Sequence, residues 1–86
     1  MGVSVGKYDP LRDYLMGLHG DRWRASFKEI EDLIGMPLPP SARNHRPWWA
    51  NDEGSLRVQA HAWLRAGWQT ADVDMARERV TFERRR

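Results

Sequence analysis

Cysteine is missing altogether. Its absence removes disulfides, thiolate metal sites and thiol nucleophiles together, and it fits a reducing, cytoplasmic setting. No apolar run approaches the roughly 20 residues that a membrane-spanning helix requires, and the first residues lack the apolar stretch of a secretory signal. Net charge is nearly absent too: 14 Lys and Arg against 12 Asp and Glu leave +2. That sum is too small to define a partner, so the distribution of charge matters more. There is no Gly-rich phosphate loop, no HExxH pair and no internal repeat. Nothing in the sequence calls for a metal or a cofactor.

What is present is tryptophan, five residues of it, against two phenylalanines and two tyrosines. With 41% hydrophobic residues in 86, the composition describes one folded domain with a real core and not a disordered chain. A domain this small buries about 60–65% of its unfolded surface, so its net stability is a few kcal/mol. Residues 1–7, with two glycines and no periodicity, read as a flexible leader to a single domain over 8–86.

Periodicity then places the elements. Asp9 and Pro10 suit the cap and first position of a helix, and Leu11, Tyr14, Leu15 and Leu18 form one stripe along it. Trp23–Ser26 reads as a brief extended piece. Ser26 and Glu29 match the reciprocal capping box, opening a second helix whose apolar face is Phe27, Ile30, Leu33 and Ile34. Pro37, Pro39 and Pro40 make a stiff link, after which Ser41 suits the cap of a short helix or turn through His45. Ser55 suits the cap of a third substantial helix, running to about Ala66 and closed by Gly67. On that helix Leu56, Ala60 and Trp63 share one side, while Arg57, His61 and Arg65 share the other. From Trp68 onward the period changes to two, giving a hairpin that turns between Asp74 and Glu78. The predicted fold is α+β and winged helix-turn-helix-like: three main helices plus a C-terminal β-hairpin, with the piece before the second helix completing a small sheet.

The segment from Pro37 to Trp68 concentrates the chemistry. Arg43, Asn44, His45 and Arg46 run together, and Trp48, Trp49 and Asn51 follow at once. Arginines at 43, 46, 57 and 65, with Lys28, suit phosphate contacts, which position a protein without reading sequence. Arg57 and His61 on a helix face suit base edges in a major groove, and the amides of Asn44, Asn51 and Gln59 suit adenine. Gln59 lies nearer the apolar seam, where it would satisfy backbone groups instead. A regular element turns adjacent residues apart, so one of Trp48 and Trp49 is expected at the surface. There it would lie over an arginine or offer a platform for an unpaired base. Trp63 and Trp68 belong to the expected core.

Over nearly all of its length, from Tyr8 to Arg84, the chain resembles a family of small bacterial proteins of unknown function. The resemblance is carried by PLRDYL, SFKEIEDLIG, PLPPSARNHRPWWAND, QAHAWLRAGW and VTFERR. It implies a self-contained domain and assigns no site.

Three function classes remain. A nucleic-acid-binding module, DNA being the expected partner, would use Arg43, Asn44, His45, Arg46, Trp49, Asn51, Arg57, His61 and Arg65. A protein-interaction or homodimerisation module would use the same Trp/Arg mixture as a hot spot. An enzyme has little to stand on: Ser41 with His45 is the nearest Ser/His pair, and His45, His61 and Asp52 lack ligand spacing. The expectation is a DNA-binding domain with no catalytic residue.

Overall fold

The computed structural model describes residues 6–52 and 58–85. Its helices are α1 (Asp9–Gly17), α2 (Phe27–Ile34), α3 (Pro40–Asn44) and α4 (Val58–Arg65), with a 3₁₀ turn at Arg46–Trp49. Its strands are β1 (Arg22–Ser26), β2 (Trp68–Asp74) and β3 (Arg79–Arg84), forming one antiparallel sheet in the order β1-β3-β2. The class is α+β, as the periodicity indicated. Among the described residues there are four α-helices where three main ones were expected, because the Pro-rich link runs into a helical turn of its own.

Local chemistry explains where the elements begin and end. Ser26 Oγ accepts the Glu29 N–H at 2.9 Å, and Glu29 returns the favour by accepting the Ser26 N–H at 2.8 Å. The chain therefore turns from β1 into α2 with no intervening loop. Gly35, at φ 77°, ends α2 in a left-handed conformation that any other residue would occupy at a cost. Two expected caps move. Tyr8 holds the cap position of α1, which makes Asp9 the first helical residue, and Pro39 does the same for α3 in place of Ser41. In both cases a proline inside the first turn presets the backbone, so a side-chain cap is unnecessary. Leu56 and the expected cap at Ser55 lie outside the described residues.

The hairpin turn falls where the sequence put it, between Asp74 and Arg79. Asp74 Oδ1 accepts the Arg77 N–H at 3.0 Å, and Glu78 closes the turn at φ 54°. That conformation costs a non-glycine residue roughly 1 kcal/mol. It is held from both ends: the Glu78 carbonyl accepts the Phe27 N–H at 2.8 Å, and its carboxylate meets Arg43 at 3.0 Å.

One chain of ring contacts runs through the core. Tyr14 meets Trp23 at 4.7 Å, Trp23 stacks on Phe82, Phe82 meets Trp63, Trp63 stacks on Trp49, and Trp49 stacks on Phe27. A branch leads from Trp49 through Trp48 to Tyr8. The segments of α1, α2, the 3₁₀ turn and α4 and the middle of the sheet are thereby joined. Trp68 is the one ring outside this chain; it is buried beneath the Arg84 guanidinium, 4.7 Å from its centroid. Arg84 also donates to the Leu18 and Gly20 carbonyls, so its side chain is built into the fold.

Both Trp48 and Trp49 are buried, which overturns the expectation that one of them faces solvent. The 3₁₀ turn lies sunk between layers, with core on two of its sides. Trp48 closes edge-on against Tyr8 at the start of α1, while Trp49 turns between Phe27 and Trp63.

Candidate nucleic-acid interface

The Arg43 side chain shows how local chemistry redirects the expected site. Its Nη1 meets Glu31 at 2.8 Å and its Nε meets Glu78 at 3.0 Å, with the guanidinium over the Phe27 ring. Glu31 also accepts the Leu38 N–H at 2.8 Å. One arginine therefore ties α2, the Pro-rich link and the hairpin turn together. The hydrogen bond from Arg43, and then that from the Leu38 amide, hold the Glu31 carboxyl below the usual carboxylate range, and the same bond raises Arg43. A carboxyl depressed on folding adds stability above its unfolded pKa and loses it as pH falls through the folded one. Glu31→Gln is accordingly expected to flatten the loss of stability on acidification below about pH 4, read from urea midpoints across pH. An unchanged acid limb would remove Glu31 from this role.

Arg46, Trp49 and Asn51 are likewise engaged within the protein. Arg46 donates to the Val73 carbonyl. Trp49, 2% exposed, gives its Nε1–H to the Ala42 carbonyl at 2.9 Å, so it offers no face to a base. Asn51 Nδ2 donates to the Thr70 carbonyl at 2.9 Å, while Oδ1 accepts the Thr70 N–H at 2.8 Å and the Trp63 Nε1–H at 2.9 Å. Asn51 thus pairs with β2 as a neighbouring strand would. With Arg46 it covers the free edge of that strand, the exposed ladder that small sheets must protect. Gln59 does what its place near the seam suggested, donating to the Trp48 carbonyl at 3.0 Å.

The remaining expected residues divide. Asn44 and His45 are exposed at the end of α3. Arg57 lies outside the described residues. On α4, Gln59, Ala60, Ala62, Trp63 and Leu64 are buried, leaving Val58, His61 and Arg65 as its outward stripe. His61 and Arg65 line a cleft shared with Lys7 and Arg12, whereas Arg46 lines a separate one beside β2. The Arg43–Arg46 cluster and the α4 stripe therefore do not meet in one cleft. Lys7 and Arg12 were missed from sequence. Lys7 sits in what reads as a leader, yet Gly6 accepts the Asp9 N–H at 2.9 Å and folds that stretch into the turn opening α1.

Among the described residues, Lys7, Arg24, Arg46, Arg65, Arg77 and Arg79 are in no ion pair. Arg24, Arg77 and Arg79 line a small cleft on the outer sheet face together with Asp72 and Asp74. No three His, Cys, Asp or Glu residues converge as a metal site among the described residues, and no described helix is long and apolar enough to cross a membrane.

These features define a small α+β domain in which unpaired cations gather in the α1/α4 cleft and on the outer sheet. The chain belongs to the family described as a domain of unknown function, DUF7662, which matches residues 8–85. Neither the curated proteins nor the solved structures hold a match to it.

Proposed function

We propose that the domain binds duplex DNA as a winged-helix-like module, with α4 and the β2–β3 hairpin as the parts that meet the duplex. The observation that carries this reading is the element order combined with the sheet order β1-β3-β2. A helix leads directly into a two-stranded hairpin, and the last strand pairs with the strand before the second helix. In a helix-turn-helix relative of this plan, the helix before the hairpin lies in the major groove and the hairpin follows the backbone. The outward stripe of α4 carries His61 and Arg65, and the hairpin carries Arg77 and Arg79, all suited to phosphate or base-edge contact. Arg57 immediately precedes α4 in sequence, four residues before His61. The proposed role is binding without a catalytic step of its own.

Fluorescence polarisation with a short labelled duplex tests this. With about five phosphate contacts, log K should fall with log salt at a slope of about −4 to −5. Arg57→Ala combined with Arg65→Ala is expected to weaken binding about tenfold or more. Affinity unchanged in the double variant would mean that α4 is not the presented helix.

A second reading, a protein-interaction or dimerisation module, is favoured by a different surface. Tyr14, 39% exposed, and the half-buried Trp23 and Leu33 line a groove of about 350 Å³ rimmed by Glu29 and Asp32. Retention on heparin with a monomeric mass in solution favours DNA binding. A dimer that passes heparin unretained favours this groove.

A further inference from the structure

Lys7 and Arg65 come from opposite ends of the sequence and reach the same concavity. It has a volume of about 230 Å³ and lies between the first turn of α1 and the outer side of α4. Tyr8, Asp9, Arg12 and His61 complete the part of its lining that bears on charge. Asp9 is already committed: its Oδ2 accepts the Gly6 N–H at 2.9 Å, and its Oδ1 lies 3.5 Å from Arg12. Arg12 is balanced further by Asp13 at 3.1 Å. Lys7 and Arg65, by contrast, are two of the six described cations in no ion pair. Arg24, Arg77 and Arg79 share their cleft with Asp72 and Asp74, and Arg46 is held by the Val73 carbonyl in a cleft that also contains Asp72, so the α1/α4 cleft is where uncompensated positive charge and a concave surface coincide.

We infer that this cleft seats a phosphate group between Lys7 and Arg65, with His61 beside it. Both cations are charged near neutrality, and their long side chains can close on a tetrahedral anion from two sides, Lys7 from the turn before α1 and Arg65 from the end of α4. Tyr8 forms a fixed floor: it is buried and packed edge-on against Trp48 at 5.9 Å. A DNA backbone and a free polyphosphate present the same group, and only the first source rests on the DNA-binding reading.

The test uses the full ¹⁵N-labelled chain, titrated in one arm with a short duplex and in the other with sodium tripolyphosphate. The amide resonances of Gly6, Lys7, His61 and Arg65 are followed in wild type and in Lys7→Gln with Arg65→Gln. Both substituted side chains are exposed, and a thermal melt of the double variant within a few degrees of wild type verifies its fold. The expected result is that the duplex shifts those amides. The double variant then binds it about tenfold more weakly, with a salt slope smaller by about two. Duplex binding that leaves these amides unmoved and the slope unchanged overturns the cleft assignment while the DNA reading stands. Tripolyphosphate shifts that vanish in the double variant, with no duplex binding, uphold the cleft, name a small phosphate as its ligand and overturn the DNA reading. Silence in both arms overturns both.

Discussion

Trp63→Ala is expected to lower the unfolding free energy by roughly 3–5 kcal/mol, as truncation of a large buried aromatic does. Trp63 is fully buried and is the link between the sheet and the 3₁₀ turn in the chain of rings, stacked on Trp49 at 6.0 Å and meeting Phe82 at 5.6 Å. Its loss leaves a cavity between those two partners and removes one of the donors to Asn51 Oδ1. For a domain of this length the change corresponds to a fall in Tm of roughly 12–40 °C, most of the stability available. Circular dichroism melts check it. Trp63→Phe keeps a ring while losing the Nε1–H and part of the ring volume, and it should fall between wild type and alanine. A Trp63→Ala melt near wild type would contradict the packing described.

Asn51→Ala is expected to cost about 2–3 kcal/mol, although the residue is largely exposed. The deletion leaves the Trp63 Nε1–H without its acceptor in the protein, and an unsatisfied buried donor costs about 1–3 kcal/mol. The Thr70 N–H, carbonyl and hydroxyl lose a partner in the same step. Asn51→Asp keeps the acceptor but turns a carboxylate oxygen toward the Thr70 carbonyl, so it should not restore wild-type stability. Urea unfolding gives the magnitude, and hydrogen exchange at the Thr70 amide gives the location. If Asn51 served DNA alone, Asn51→Ala would weaken DNA binding and leave the urea midpoint where it was.

Much of the fold was legible because its signals are local. The Ser26/Glu29 capping box spans one turn, the stripe Phe27, Ile30 and Ile34 one helix face, and the alternation around Val80 and Phe82 one strand. The packing of Trp63 and Trp68 followed from the same patterns. The site was less legible, since what a polar side chain does depends on what arrives beside it. Arg43 looked like a phosphate contact because no acid lies near it in sequence; Glu31 is 12 residues away and Glu78 is 35. Asn51, in a turn-like run, gave no hint of Thr70, 19 residues on. The paired tryptophans misled for a related reason: alternation rules describe an element with core on one side, and this turn has core on two. Lys7 became visible only once α1 and α4 were packed together.

The treatment of the two outer strands has its own consequence for how molecules could associate. Asn51 and Arg46 occupy the outward backbone groups of β2 at Thr70 and Val73, whereas β1 has a strand partner on one flank only. Ser26, at the last position of β1, already has its N–H taken by Glu29. Among the described residues, β1 is thus the more open border for a foreign strand. Pairing along β1 alone would join two molecules edge to edge and leave the covered edge of β2 at either end.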